Sequence, residues 1–365
     1  MKIRKLFLII IPVLLFFLQV DAQRQEIRIP DIPGYITLKG DLHTHTVFSD
    51  GLVWPTYRVN EAWRDGLDVL ALTDHLEYTP FSADVKVDAA RPYEIAKTLA
   101  SRHGLLLVQG VEITRGMPPG HLNAIFLDDP EKLRQDDVTE VMKEAMRQGA
   151  YIFWNHPGWR GQQPDGIVRV YDIHREWFDK DWVHGVEFGN DKEFYPEVID
   201  IAREHNLAIL ANSDIHGTTV DTYTPGTDWH RPLTLIFSKE KSMEALREAM
   251  FDRRMVAWIQ NILAGSERWL TPLLQASLKI EPPNAVAGNT TWVTIRNESA
   301  FLIQLEKHDD EAGGPNSIEL EPLTTVVVQI PGDVHSIRYN VVNTFTIETS
   351  GPLLLDLEIP KTLID

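Results

Sequence analysis

The chain has 365 residues, of which 43% are apolar and 24% are charged, a composition typical of a globular protein with room for two domains. Its formal net charge of −18 argues against broad binding to nucleic acid backbones, because such proteins usually present a basic surface. It contains no cysteine, which excludes disulfides, thiolate metal ligands and a cysteine nucleophile. An anionic substrate would therefore need a local positive centre, such as bound divalent cations.

The N-terminus has the pattern of an export signal. Basic residues precede the apolar run 6–18, and Ala22 ends a small-residue cleavage site. We expect residues 1–22 to be a cleaved signal peptide and the mature protein to be periplasmic or secreted. An uncleaved membrane anchor is the alternative, but we expect no permanent anchor because the run is short of the roughly 20 residues that span a bilayer.

Residues 36 to about 260 alternate short apolar runs with amphipathic stretches, which predicts parallel strands joined by crossover helices. Strands are predicted over 36–42, 67–73, 105–113, 123–127, 151–154, 183–188, 207–211 and 233–237. Helices are predicted over 57–64, 89–102, 137–148, 193–205 and 242–251. About seven such units favour a barrel-like α/β domain over residues 23–271, with a doubly wound sheet as the alternative.

Residues 272–365 have a different pattern. Short runs rich in Val, Ile and Thr, separated by Pro, Gly and Asn turns, predict strands over 278–280, 291–295, 324–330, 336–342 and 353–357. We therefore expect a small antiparallel β-sandwich domain that begins near Pro272.

Candidate metal ligands cluster at the ends of the predicted strands. His43 and His45 lie two apart at the end of the first strand, so both imidazoles can point to one side, and Asp50 can return past a bend. Imidazole and carboxylate together favour Zn, Mn or Fe over Ca or Mg.

Further candidates follow later strands. Adjacent residues on a strand face opposite ways, so we expect His75 to bind metal and Asp74 to orient a ligand or accept a proton. Glu112 closes an apolar strand, where a buried carboxylate is costly unless it is paired or bound to metal. The complete candidate set is His43, His45, Asp50, His75, Glu112, His121, His156, Asp214 and His216.

Four motifs in this order resemble those of the polymerase-and-histidinol-phosphatase (PHP) metallophosphoesterases. They are HTH with SDG over 43–51, TDH over 73–75, the glutamate of GVEIT followed by a histidine, and NHPG before SDIH over 213–216. The resemblance covers residues 39 to about 237. It implies a distorted seven-stranded β/α barrel, so the fold class that we predict is this barrel followed by the β-sandwich.

The resemblance also implies three divalent metal ions per chain. One ion would bind His43, His45, Glu112 and Asp214, a second would bind Glu112, His121 and His156, and a third would bind Asp50, His75 and His216. His103 is the alternative to His121, because His121 follows Glu112 more closely than in some relatives.

Within the family, the export signal and the trailing β domain look most like secreted bacterial phosphodiesterases. A hydroxide formed at the metals would attack phosphorus, and the cations would stabilise the charge on the phosphate oxygens. We expect Arg115, His230 and Arg231 to hold phosphoryl oxygens, although a salt bridge in a loop is the alternative for both arginines. We expect Asp74 to serve the leaving group and Trp159 to line the pocket. The predicted partner is a small-molecule phosphate ester, and we favour an organic phosphodiester.

Three other functions fit the same ligand set. A phosphomonoesterase would need more fixed positive charge to bind its dianionic substrate than Arg115 and Arg231 provide. A non-catalytic metal-dependent binding protein usually loses ligands, and here all nine are present. Amide hydrolases on a similar barrel commonly carry a bridging lysine where this chain has Glu112.

Overall fold

The computed structural model describes residues 23–223, 230–283, 285–308 and 313–360, so the predicted signal peptide over residues 1–22 lies outside the described residues. Within the described part of the chain, no helix is long and apolar enough to cross a membrane. The helices are α1 Pro55–Arg64, α2 Arg91–His103, α3 Val138–Arg147, α4 Asp172–Asp179, α5 Val198–His205, α6 Thr219–Thr222, α7 Met243–Phe251 and α8 Glu267–Ser277, with a 3-10 turn over Pro130–Leu133.

Local sequence signals account for several of these helix ends. Pro55 starts α1, where its missing N–H costs nothing. Asp137 caps α3 by accepting a hydrogen bond of 2.8 Å from the Thr139 amide. Gly104 ends α2 in the left-handed conformation, with a φ of 65°.

One large sheet contains the first eleven strands. They are β1 Ile36–Asp41, β2 Val69–Leu72, β3 Leu106–Thr114, β4 His121–Ile125, β5 Tyr151–Trp154, β6 Gly185–Asn190, β7 Glu193–Phe194, β8 Ala208–Asn212, β9 Leu233–Ser238, β10 Met255–Ile259 and β11 Ile262–Gly265. The hydrogen-bonded order is β11-β10-β9-β1-β2-β3-β4-β5-β6-β7, and β8 also pairs with β6. The result is a mixed α/β fold with a curled, half-barrel sheet.

The curl brings β8 beside β9 without a backbone ladder between them. Instead, the Thr234 hydroxyl on β9 accepts a hydrogen bond of 3.1 Å from the Ala211 amide and donates one of 2.9 Å to the Ala211 carbonyl. One side chain therefore bridges the seam that a closed barrel would fill with backbone pairing.

The expectation that all barrel strands run parallel is wrong. Strand β4 is antiparallel to β3 and β5, and β9 is antiparallel to β1 and β10. The connection over residues 115–120 explains the β3–β4 pair, because it is far shorter than the dozen or so residues that a crossover needs. The β10–β11 hairpin was not predicted from the sequence.

One predicted helix is also shorter than expected. Residues 193–205 were predicted to be helical, but Glu193–Phe194 forms β7 and the helix begins at Val198. Pro196 separates the two elements, since the residue before a proline is biased away from helical conformation.

Eight of the nine remaining strands form two four-stranded antiparallel sheets. The eight are β12 Leu278–Ile280, β13 Ala285–Ala287, β14 Thr290–Asn297, β15 Ile303–Lys307, β16 Ser317–Leu320, β17 Thr325–Pro331, β18 Ser336–Val341 and β20 Leu353–Glu358, and the ninth strand is β19 Thr344–Thr346. Buried side chains of both sheets, such as Val293 and Leu355, share one hydrophobic cluster with Leu270 of α8.

The second region is joined to the large sheet in two places. Pro272, where we expected the second domain to begin, lies inside α8, so the chain passes through a continuous helix at this position. Strand β19 then pairs in parallel with β11 and extends the large sheet by one strand. The C-terminal region therefore contributes a strand to the sheet that carries the candidate site.

Candidate metal centre

The nine candidate ligands converge at one edge of the large sheet, where the parallel strands end. The side chains are supplied by the segments after β1 (His43, His45, Asp50), β2 (His75), β5 (His156) and β8 (Asp214, His216), by β3 (Glu112) and by the first residue of β4 (His121). His121 reaches the same edge because β4 runs antiparallel to β3. A motif spread over about half the chain thus becomes one cluster.

Four groups within this cluster have ligand atoms that all lie within 4.8 Å of one another. The groups are His45, Asp50, His75 and His216; His43, His45 and Glu112; His43, His156 and Asp214; and His75, Glu112 and His121. The set implied for the third ion is present with His45 added. The sets implied for the first and second ions are divided differently. Asp214 and His156, which were expected at different ions, are grouped together with His43. Ligation by each residue stays a prediction.

Glu112 lies at the centre of the cluster. It is fully buried, and its Oε1 lies 3.0 Å from His121 Nδ1 and 3.4 Å from His43 Nε2. Its Oε2 lies 2.6 Å from His75 Nδ1 and 3.5 Å from His45 Nε2. The two oxygens thus face different imidazoles, which is the arrangement that a carboxylate shared between two cations requires.

Several buried polar atoms of the cluster make no hydrogen bond in the described part of the chain. They include His43 Nε2, His45 Nε2, Asp50 Oδ1 and Asp214 Oδ1. Leaving a buried polar atom unpaired costs about 1–3 kcal/mol, and more for charged groups. Metal coordination would satisfy all four atoms at once, and imidazole nitrogens with carboxylate oxygens are suitable donors for Zn, Mn or Fe. The residues present therefore fit a divalent metal centre.

The electrostatics of the cluster keep its carboxylates anionic. Burial opposes ionisation of Glu112, but His75, His43 and His121 hold its pKa well below the usual range. Burial, together with His216 and His75, lowers the pKa of His45 to about 3, so this imidazole is neutral and ready to bind metal.

Glu187 on β6 is a buried acid in contact with the cluster that the sequence interpretation missed. It is fully buried, and its Oε1 lies 3.0 Å from His43 Nδ1, so it can fix the tautomer and orientation of that imidazole. Its Oε2 accepts hydrogen bonds of 2.8 Å from the His156 amide and from Asn190 Nδ2. The available signal was the one used for Glu112, an acidic residue within an apolar strand.

Asp74 is buried beside the cluster. It accepts hydrogen bonds from the Thr46 amide and hydroxyl at 2.7 and 2.8 Å, and from the Ser49 hydroxyl at 2.8 Å. The Ser49 oxygen lies 3.3 Å from His45 Nδ1. Burial raises the pKa of Asp74 despite these donors. Its contacts connect it to His45 through Ser49, and it does not line the cavity described below.

The structure gives Arg115 a role different from the one expected. Its guanidinium pairs with Glu77 at 3.0 Å and donates to the Gln135 and Asp136 carbonyls at 2.7 and 3.1 Å. The salt-bridge alternative therefore describes it better than phosphoryl binding.

His230 and Arg231 also differ from the expectation. Arg231 Nε lies 2.7 Å from Asp41 and its Nη1 lies 3.1 Å from Asp65, both as buried or half-buried pairs. The ring nitrogens of His230 lie 2.7 Å from the Arg231 and Gln260 carbonyls. These contacts hold both side chains away from the cavity described below, although Arg231 Nη2 makes no hydrogen bond within the described residues.

His103 is not placed to replace His121. It stacks on Trp63 with ring centroids 4.6 Å apart, and its Nε2 lies 2.9 Å from Asn60 Oδ1. It belongs to none of the four groups.

A cavity of about 450 Å³ opens onto the cluster. Besides six of the candidate ligands, it is lined by Trp159, Asn190, Asp191, Lys192, Glu193 and Tyr195. Trp159 thus lines the pocket as expected, whereas Arg115, His230, Arg231 and Asp74 are not among its described lining residues. A substrate that reaches the cluster would pass the exposed side chains of the β6–β7 turn.

Known proteins resemble this chain in sequence and in structure. A crystal structure of a two-domain protein from Bacteroides vulgatus, which contains a predicted PHP-like metal-dependent phosphoesterase, superposes with a TM-score of 0.87 at 38% identity, covering 92% of this chain and 99% of that one. An uncharacterized protein of Methanocaldococcus jannaschii is 25% identical over 190 residues, which are 49% of this chain and 82% of that protein. A 5'-3' exoribonuclease of Haemophilus influenzae is 37% identical over 79 residues, which are 22% of this chain and 24% of that enzyme. No protein-family model matches the sequence.

Proposed function

Because the chain belongs to the PHP-like metal-dependent phosphoesterases, we propose that it hydrolyses small organic phosphodiesters at a centre of three divalent metal ions. The observation that carries this proposal is the convergence of eight candidate ligand side chains around Glu112, with buried atoms that metal coordination would satisfy. The metal would be Mn, Zn or Fe, because the donors mix imidazole with carboxylate.

Some residues of the site would bind metal, and others orient the side chains that bind it. Bound divalent cations would supply positive charge to the phosphate oxygens and lower the pKa of a bound water to near neutrality. Glu112 would be shared between ions, because its two oxygens face different imidazoles. Glu187 orients His43, and Asp74 orients His45 through Ser49.

The charges around the cavity favour a diester over a monoester. Among the described lining residues outside the candidate ligands, the positive charge of Lys192 is outweighed by the negative charges of Asp191 and Glu193. Arg115 pairs with Glu77, Arg231 pairs with Asp41 and Asp65, and neither arginine is among the described lining residues. A monoester dianion would therefore find little fixed positive charge beyond the metals, and a diester carries one negative charge less.

Steady-state kinetics with a matched substrate pair test this proposal. The protein is reconstituted with Mn, Zn or Fe, and kcat/KM is compared for 4-nitrophenyl phosphate and bis(4-nitrophenyl) phosphate, which share a leaving group. We expect kcat/KM to be higher for the diester. A clear preference for the monoester would instead support the phosphomonoesterase alternative, and no turnover of either ester would favour a binding protein.

The location and domain organisation complete the proposal. We propose that residues 1–22 direct export, so that the mature enzyme acts in the periplasm or outside the cell without a permanent membrane anchor. We also interpret the two antiparallel sheets as a β-sandwich, because their buried faces share one hydrophobic cluster. In the described part of this region, no group of ligand atoms like those of the large sheet is found.

A further inference from the structure

Trp159 is the large exposed aromatic side chain of the cavity. The residue is 43% exposed, which places it among the exposed large apolar residues of the described chain. The ring lies 5.3 Å from that of His156 and 5.8 Å from that of His121, measured between centroids. A group bound to the cluster at His121 and His156 would therefore lie next to an accessible aromatic surface.

The position of this indole is fixed by the turn that carries it. The Trp159 amide donates a hydrogen bond of 2.9 Å to the His156 carbonyl, and the Trp159 carbonyl accepts from the Gln162 and Gln163 amides at 3.0 and 2.8 Å. The indole also rests on the backbone of Gly161, where an added Cβ would lie 2.4 Å from Cζ2 of the ring. Gly161 thus leaves the space that this ring orientation needs.

We propose that Trp159 forms a subsite for a planar aromatic group of the substrate, and that preferred substrates are phosphodiesters with at least one aromatic arm. The proposal rests on the proposed phosphodiesterase function, and it names the substrate class of the same site. Besides Trp159, the cavity is lined by the charged side chains of Asp191, Lys192 and Glu193 and by Tyr195, which is buried, so Trp159 presents the larger accessible apolar surface. An aromatic ring can stack on the indole, since aromatic pairs gain more than the area that they bury.

Binding of diester analogues that lack an ester bond separates this inference from catalysis. Calorimetry on metal-loaded full-length protein would give the Kd of diphenylphosphinate and of dicyclohexylphosphinate, whose P–C bonds are not hydrolysed and which have similar size and the same charge but differ in planarity. We expect diphenylphosphinate to bind about tenfold more tightly, and Trp159→Ala to abolish that preference. Trp159→Phe should keep most of it.

Two further variants distinguish a subsite from support of the imidazoles. Gly161→Ala leaves every candidate ligand in place but displaces the indole, so the preference should fall as it does in Trp159→Ala. Tyr78→Ala is the matched control, because Tyr78 is 52% exposed and its ring lies 5.8 Å from that of His75, but it does not line the cavity. The preference should be unchanged in this variant.

The metal content of each variant is measured in the same preparations. Equal binding of the two phosphinates by the unmodified protein would overturn the inference, and so would an equal loss of affinity for both in Trp159→Ala. Because neither phosphinate can be hydrolysed, a protein that prefers diphenylphosphinate but turns over no phosphodiester would contradict the proposed function and leave the subsite standing.

Discussion

Arg58 contacts the backbone of two segments that carry candidate metal ligands, and replacing it tests quantitatively how these segments are held in place. Its side chain is fully buried in α1, and its Nη1 donates a hydrogen bond of 2.7 Å to Glu61. Its Nε and Nη2 donate to the His45 carbonyl at 3.1 and 3.0 Å, and Nη2 also reaches the Ile215 and His216 carbonyls at 3.2 Å. One guanidinium therefore joins two segments that carry candidate ligands.

Replacing Arg58 by Met keeps the length of the side chain but removes these donors. Burial lowers the pKa of Arg58 to about 10, so it is charged at neutral pH and its loss leaves Glu61 buried without its partner. Breaking a buried pair in this way costs about 3–5 kcal/mol. A protein of ordinary stability, about 5–15 kcal/mol, would remain folded but with a small margin.

The measurement is urea unfolding of the metal-free protein, followed by metal analysis after reconstitution. We expect Arg58→Met to unfold at lower urea concentration and to retain less metal, because His45 and His216 belong to the same group of ligands. Arg147→Met is the control, since Arg147 forms an exposed pair with Glu144 and its loss should change stability little. An Arg58→Met protein with unchanged stability and metal content would refute the reasoning.

Three further predictions concern the cluster itself. Glu112→Gln should lower metal content, measured by elemental analysis, and should reduce kcat by a factor of about a hundred or more in steady-state kinetics. A variant with normal metal content and turnover would mean that Glu112 has only a structural role. Asp74→Asn should reduce metal affinity about tenfold through Ser49, because the amide replaces one acceptor by a donor; unchanged affinity in a metal titration would contradict this role. Burial opposes protonation of His75 in the metal-free protein, but Glu112 and Asp50 raise its pKa to about 10 from 6.5. The protonated imidazole therefore stabilises the metal-free fold below pH 6.5, and this contribution is lost as the pH rises towards about 10. Metal must displace this proton, so calorimetric affinity should increase between about pH 6 and about pH 8, and a flat profile would contradict the assignment.

The positions of most strands and helices near the site could be predicted because their signals are local. Strands β1, β2, β3 and β5 end within three residues of His43, His75, Glu112 and His156, so sequence order alone predicted which edge the ligands would share. Pairing direction is not local in this way. Strand β9 pairs antiparallel with β1 through residues about two hundred positions apart, and no short sequence pattern predicts this pairing.

The roles of the supporting residues were harder to predict for the same reason. Arg231 was expected to face substrate, but its partner Asp41 lies 190 residues earlier in the chain and becomes its neighbour only in the folded sheet. Glu187 was missed because its partners His43 and Asn212 are far from it in sequence. Residue type and strand position indicate that a side chain is buried, whereas the identity of its partner depends on the complete topology.

The most direct test of a multinuclear phosphodiesterase centre is a titration of the metal-free protein with Mn, Zn or Fe, in which bound metal and hydrolysis of bis(4-nitrophenyl) phosphate are measured on the same samples. The convergence of three carboxylates and six imidazoles predicts more than one ion per chain, with turnover rising as the later ions bind. Full turnover at one ion per chain or fewer would contradict the multinuclear centre. Saturation with metal without any turnover would contradict the proposed reaction.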